Sequence, residues 1–383
     1  MTSLMILTIS FINLILIIPF KIESFFLFKG FFIIHRLLSI MDVIEFSKLA
    51  PGAVFKRDKF RKFYPHSTSN FNPDIFQNQL DFGDNIALQF IDRSVHTVLA
   101  VAPTQSGKTG SMLATIKSFL ASPTLSLPFH HIFIITGHSS TEWTQQTKER
   151  FPPEFRDNIF HRNQLSKFSK LIIGLSNVLV FVDESHIASR KHQSVQSSLS
   201  QVFPDFYERD IKLVLVTATP DLCFKHYNIH RNVVMSPPPH YRSIQHLLDD
   251  GLILSAKDLS LPTSLPHILE IKDLMGDIPK YHIIRTPRGD GFDLTVSNFK
   301  SVFTDCDFIC GVTDFDFLSS PPSRHSFVFI IDRLRCAKTI HKDHLGVLYE
   351  RSPKLINRDT IIQGLLGRAT GFHSFSPTVF THF

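Results

Sequence analysis

The run Ala102-Pro103-Thr104-Gln105-Ser106-Gly107-Lys108-Thr109, continued by Gly110, has the composition of a loop that holds phosphate. Where such a loop lies between a strand and a helix, the backbone N–H groups of Ser106, Gly107, Lys108 and Thr109 point into an anion. Lys108 would then reach the β- and γ-phosphates of a nucleotide, and the Thr109 hydroxyl would ligate Mg²⁺. Further along stands Asp183-Glu184-Ser185-His186, behind the apolar run Val178–Val182. At a strand end beside the loop, Asp183 is placed to hold the hydration shell of Mg²⁺. Glu184 is placed to take a proton from an attacking water. Read alone, these four residues also fit a solvated loop or a helix cap formed by Asp183.

Two further groups draw meaning from their order. Thr217-Ala218-Thr219-Pro220 ends an apolar run, and its hydroxyls could relay between a nucleotide site and a second ligand. By itself it reads better as a turn. Gln363-Gly364-Leu365-Leu366-Gly367-Arg368 lies near the chain end, where an arginine presented across a cleft stabilises charge on a γ-phosphate. A surface arginine at a helix end is the plain alternative.

These residues require strands and helices that alternate. Expected strands are His96–Val101, His131–Ile135, Leu171–Leu175, Val178–Val182 and Lys212–Val216. Expected helices are Ile75–Ser94, Lys108–Leu120 and a stretch around Val195–Val202. A second alternating region has strands at His282–Ile284, Asp307–Cys310, Ser326–Ile331 and Gly346–Tyr349, with a helix from Asp359 carrying the last motif. This alternation indicates an α/β chain with parallel sheets. Both the phosphate loop and the acidic motif fall at carboxyl ends of strands, where open α/β sheets bind ligands.

The chain has 383 residues, enough for about two domains. Its apolar and charged fractions, 43% and 19%, exclude a disordered chain. The net charge of +6 mildly favours polyanions. Cys223, Cys306, Cys310 and Cys336 make neither a disulfide framework nor a paired metal clasp, so they read as free thiols. Phe is unusually frequent, with 38 residues spread along the whole chain. Met1–Phe20 is uncharged and about long enough to span a bilayer. Either it is an anchor or targeting segment, or translation starts at Met41. The first alternative gives a membrane-associated protein, the second one of cytoplasm, nucleus or virus factory. Pro51–Asn72 interleaves Lys and Arg with aromatics, as a phosphate-backbone contact or a solvated lead-in would. The proline run Pro237–Pro239 marks a linker.

In their order and spacing, the phosphate loop, Asp-Glu-Ser-His, Thr-Ala-Thr and the Gln…Gly-Arg motif resemble superfamily 2 DExH/DEAD-like helicases. Thr136–Trp143, His161–Leu165 and Ile361–Gly371 resemble the branch encoded by large DNA viruses and phages. The resemblance covers about 71–372. It implies two RecA-like P-loop domains with parallel sheets, ATP and Mg²⁺ in the cleft between them, and nucleic acid across the top, DNA ahead of RNA. The implied organisation is an apolar segment 1–40, a first domain 41–235, a crossing segment 236–279 and a second domain 280–383. Lys108, Thr109, Asp183 and Glu184 match the family's ATPase residues, and Arg368 its arginine finger region. Gln79 loosely matches the glutamine that reads adenine, and Gln363 belongs to the last nucleotide-facing motif. Thr136, Gly137 and Ser139 fall where the family touches the nucleic-acid backbone, while His186, Thr217 and Thr219 fall where it couples the two sites. Gly371 stands where a second arginine is usual, and the chain stops soon after, so the second domain is expected to be incomplete. The implied activity is an ATP-dependent helicase or translocase. The alternative is an ATP-gated clamp on nucleic acid with little turnover.

Overall fold

The computed structural model describes residues 75–136, 141–185, 199, 206, 208–238, 240–334, 340–352, 358–373 and 375–382. The apolar segment 1–40, the Met41 start and the basic stretch 51–72 lie outside the described residues, as does most of the helix expected around Val195–Val202. Among the described residues, no helix is long and apolar enough to cross a membrane.

The first sheet is built from β1 (Thr97–Val101), β2 (Ile132–Thr136), β3 (Ile159–His161), β4 (Val178–Asp183), β5 (Ile211–Thr217) and β6 (Arg231–Val234). Their order is β3-β2-β4-β5-β1-β6, and every pairing is parallel. All of β1, β2, β4 and β5 is buried. The alternation of side chains divides their apolar residues between two cores. Val98, Ala100, Ile134, Phe181 and Val214 face one layer, and Leu99, Val101, Ile135, Val180 and Leu215 face the other. Continuous apolar runs are what a parallel sheet covered on both faces demands.

The helices Gln77–Gln89 and Lys108–Ala121 cover the first layer. They cross closely, because a Cβ on Gly83 would come within 2.5 Å of Ala114 Cβ. The helix Leu165–Ile172 covers the second layer. Here the expected strand Leu171–Leu175 is corrected. Leu165, Phe168 and Ile172 are buried at helical spacing, while Leu171 and Ile173 are 44% and 70% exposed. The chain then turns at Gly174, whose φ of +80° suits glycine.

After β6 come β7 (Tyr241–Arg242), β8 (Ile253–Ser255), β9 (Tyr281–Arg285), β10 (Asp307–Ile309), β11 (Ser326–Ile330), β12 (Leu345–Tyr349), β13 (Gly371–Phe372) and β14 (Thr378–Thr381). The second sheet runs β10-β11-β9-β12-β14-β8, all parallel. β8 comes from within 236–279 and forms one edge of this sheet, so that stretch builds as well as crosses. β7 and β13 make a separate antiparallel pair. The expected helix from Asp359 is two short helices, Arg358–Gln363 and Leu365–Ala369, parted at Gly364. Two parallel six-stranded α/β sheets are the architecture of two RecA-like domains.

Part of the phenylalanine excess has a place in the second core. Phe327 lies 5.0 Å from Phe299 and 4.5 Å from Phe303, ring centre to ring centre, and Phe308 stacks beside Phe329.

Burial also creates an acid-sensitive point in this core. His282 on β9 is fully buried, and Gly346 backs its ring at a distance where a Cβ would come within 2.8 Å of Nδ1. Its Nε2 lies 3.0 Å from His325 Nδ1, and His325 Nε2 lies 3.2 Å from the carbonyl of Gly276. A carbonyl only accepts, so His325 Nε2 carries the proton, and His282 Nε2 donates to His325 Nδ1. A second proton on His282 would enter at Nδ1, which has no hydrogen-bond partner among the described residues. Burial, then the neighbouring His325 and Lys280, push its pKa down to about 3. In the unfolded chain a histidine binds protons below about pH 6.5, so it is the unfolded state that takes up this proton first. Stability is therefore expected to fall as pH drops from 6.5 toward 3. The slope should exceed that of His282→Gln by up to about 1.4 kcal/mol per pH unit. Denaturant midpoints measured across that range check this, and equal slopes would remove His282 from the account.

Candidate functional site

The carboxyl end of β1 runs directly into the glycine-containing loop, and the helix Lys108–Ala121 begins at its far side. Gly107 is the residue before the helix, with φ +93°, and as a glycine it has no side chain to cap the helix start. The first-turn amides of Lys108, Thr109 and Gly110 have no partner within a helix. A Cβ on either Gly107 or Gly110 would collide with Gln79, which packs against the loop. Gln79 is buried, donates to Gly107 O at 3.2 Å and accepts from Phe76 N at 3.0 Å. Ser106 is fully buried, its hydroxyl donating to Pro103 O at 2.8 Å. Ala102 is buried, and its N–H donates to Thr217 O at 2.9 Å, which ties the loop to the end of β5. Pro103 and Thr109 are half-buried on the rim. An open helix start, a glycine cradle and a lysine in the first turn fit a nucleotide's phosphates.

Asp183 ends β4 and Glu184 follows in a left-handed conformation, φ +50°. That conformation is costly for a residue with a side chain. It is held by Glu184 N donating to Asp183 Oδ1 at 2.9 Å and by Ser185 N donating to Val216 O at 3.1 Å. The result aims Glu184 Oε1 at Lys108 Nζ, 3.4 Å away, with the glutamate side chain 3% exposed. Burial first, and then the charge of Glu184, hold the Asp183 carboxyl well above the usual carboxylate range, against the opposing pull of Lys108. Two buried carboxylates beside one lysine are a set that a divalent cation would complete. Of the residues here, Asp183 offers the buried carboxylate oxygens, and Thr109 a hydroxyl in the first turn of the helix.

The second sheet reaches this loop through its own strand ends. Arg285, at the end of β9, pairs with Glu350, just past β12, at 2.6 Å, and both are buried. Glu350 Oε2 in turn accepts from Leu365 N at 3.4 Å, which sets the helix Leu365–Ala369 in place. That helix meets the loop directly. Gln105 Nε2 donates to Gly367 O at 3.2 Å, Thr104 Oγ1 lies 2.9 Å from Thr370 Oγ1, and Thr370 Oγ1 lies 3.2 Å from Thr104 O. Gly367 is required at this approach, since a Cβ would sit 3.2 Å from Thr104 Cγ2 and collide with Ile362 O. Tyr241 OH donates to Thr104 O at 2.5 Å, and Lys342 Nζ donates to Gln105 Oε1 at 2.7 Å.

The structure thus gathers Gln79, the 102–110 loop, Asp183, Glu184, Thr217, Thr219, Gln363 and Arg368 around one junction. Thr217 and Thr219 bond to each other through Thr219 N and Thr217 Oγ1 at 3.0 Å. Gln363 is buried with its Nε2 3.5 Å from Thr219 Oγ1, a link between the sheets. The Arg368 side chain is buried, and Nη2 donates back to Gln363 O at 3.2 Å. Thr136 ends β2 in register with Asp183 and is fully buried. Gly137, Ser139 and His186 lie outside the described residues. Sequence reasoning passed over Tyr241, Lys342 and Thr370 as site residues. Only Thr370 carried a signal, by lying inside the Ile361–Gly371 stretch.

No family model matches the chain, and no curated protein matches it. Among solved structures it is similar to the Escherichia coli DEAH/RHA helicase HrpB, at TM-score 0.47 and 14% identity over 78% of this chain and 42% of that one. It is similar to S. cerevisiae Dbp5 bound to RNA and ADP BeF3, at TM-score 0.45 and 14% identity over 81% and 88%. It is also similar to the DUF1998 helicase MrfA bound to DNA and AMPPNP, at TM-score 0.44 and 13% identity over 81% and 51%. The chain spans less than half the length of that HrpB chain and about half that of MrfA. These likenesses concern the fold.

Proposed function

We propose that this chain is an ATP-hydrolysing motor of the superfamily 2 kind, a helicase or translocase that moves on nucleic acid, with DNA favoured over RNA. The observation that carries the reading is the Lys108–Glu184 pair, 3.4 Å apart, at the start of an uncapped helix beside buried Asp183. In this reading the first-turn amides and Lys108 hold the β- and γ-phosphates. Asp183 and the Thr109 hydroxyl hold Mg²⁺, which supplies charge neutralisation at the phosphates when bound. Glu184 accepts the proton of the attacking water, and Arg368 brings positive charge from the second sheet. Gln79 packs the loop from behind and orients the base. The bonded path Asp183–Glu184–Ser185 to Val216, Thr217, Thr219 and Gln363 supports coupling of the nucleotide site to movement between the sheets. Thr136, with Gly137, Ser139 and His186, is assigned to the nucleic-acid side of that coupling.

A second reading, the ATP-gated clamp, has its own support. Thr104 and Gln105 are bonded across the junction to Tyr241, Lys342, Gly367, Arg368 and Thr370. Such a junction would favour holding over cycling. ATP turnover by the full chain, alone and with single-stranded DNA, single-stranded RNA or duplex, separates the two. A motor is expected to hydrolyse faster with one polymer. ATP bound without turnover on any polymer would replace it with the clamp, and no nucleotide binding at all would sink both.

A further inference from the structure

Lys342 lies between β11 and β12, in a turn without a recognisable motif, yet it is 7% exposed. Its ammonium is held by neutral oxygens only, Gln105 Oε1 at 2.7 Å and Thr370 O at 2.6 Å. Among the described residues no carboxylate lies within 4 Å of it. A buried ammonium with no carboxylate in contact is costly, and an anion brought to it would offset that cost. Burial first, and then the charge of Arg368, lower its pKa to about 8. The room it occupies is made by Gly371, where φ is +113° and a Cβ would sit 2.9 Å from Nζ and 3.3 Å from Gln105 Oε1. Glycine at 371 and lysine at 342 therefore form one arrangement, in which a cation from the second sheet rests on a side chain of the phosphate loop.

We propose that Lys342 is a nucleotide-binding residue, whose ammonium leaves Gln105 Oε1 for a terminal phosphate oxygen when a nucleoside triphosphate occupies the loop. The proposal rests on the reading of the 102–110 loop as an ATP site. It gives the second sheet two cations at the phosphates, Lys342 and Arg368, and makes Gln105 the latch that holds Lys342 between turnovers. A diphosphate, lacking the terminal group, leaves Lys342 on Gln105. Lys342 thus distinguishes tri- from diphosphate.

The test compares AMPPNP and ADP affinity of the full-length protein with those of Lys342→Met and Lys342→Arg. Losing one charge-assisted bond is expected to weaken AMPPNP by about 10- to 100-fold in Lys342→Met, with ADP changed less than about threefold. Lys342→Arg should keep most of the AMPPNP affinity. The groups facing Lys342 are Arg368 from the last helix, His373 just past β13, and Asp343 from its own turn. Arg368 stays charged throughout, and burial, with Lys342 next, keeps His373 below its ordinary value. Lys342 is thus the group that discharges as pH rises past 8. Wild-type AMPPNP affinity should weaken above that pH, and Lys342→Arg should not. If the wild type binds AMPPNP and Lys342→Met binds it equally, the proposal alone fails. If Lys342→Met weakens both nucleotides alike and the alkaline loss persists in Lys342→Arg, the role is structural and the proposal is overturned. If the wild type binds neither nucleotide, the ATP-site reading falls and takes the proposal with it.

Discussion

Lys108→Ala is expected to lose nucleotide binding by roughly a hundredfold or more and to abolish turnover, since charge-assisted bonds to phosphate are the strongest available to the loop. The side chain is 12% exposed, in the first turn of its helix, and reaches 3.4 Å from Glu184. Without it, two buried carboxylates lose the cation whose charge opposes their mutual repulsion. The effect has two parts, one on the ligand and one on the empty site. Lys108→Arg separates them. It keeps the charge near Asp183 and Glu184, but its planar fork does not fit a cradle shaped for a point charge. Binding of a fluorescent ATP analogue, with thermal unfolding as the control for folding, reads both variants. Wild-type affinity in Lys108→Ala would remove the loop from the nucleotide site.

Glu184→Gln is expected to slow turnover by about 10² to 10⁴, the range a positioned general base contributes. ATP affinity should stay the same or rise, because one negative charge leaves the neighbourhood of the phosphates. The contrast with Lys108 is the informative part: one variant fails to bind, the other binds but cannot take the proton from the attacking water. Glutamine has the same shape, so the left-handed backbone at φ +50° and the anchoring bonds at Asp183 and Ser185 are retained. A residue held in so costly a conformation, and aimed at a lysine, points to chemistry rather than packing. Unchanged turnover in this variant would reassign the proton acceptor.

The sequence was most legible where chemistry, strand and helix are contiguous. The loop at 102–110 lies between β1 and its helix, and Asp183 and Thr217 close strands whose apolar runs are long enough to stand out. Short strands were harder. β8 and the pair β7–β13 have two or three residues each, and nothing in their composition separates them from the turns around them. Leu171–Leu175 misled because a short apolar run suits a helix end as well as a strand. The junction itself was hidden for a different reason. Gln105 and Lys342 are 237 residues apart, and only the packing of two sheets makes them neighbours. Gln105 was expected to serve the phosphates as a member of the loop, whereas its side chain turns to the opposite sheet.

One glycine sets how far this loop tolerates drift. Gly83 allows the helix Gln77–Gln89 to lie against Ala114 and Thr115. Gln79, one turn earlier on that helix, presses on Gly107 and Gly110. A methyl group at position 83 would wedge the two helices apart and draw Gln79 off the loop, though it touches no phosphate-binding atom. The sequence freedom of a helix ahead of the loop is thus restricted by a clearance within it. Alleles altered at Gly83 would present as defects of nucleotide affinity while every residue around the phosphates remained intact.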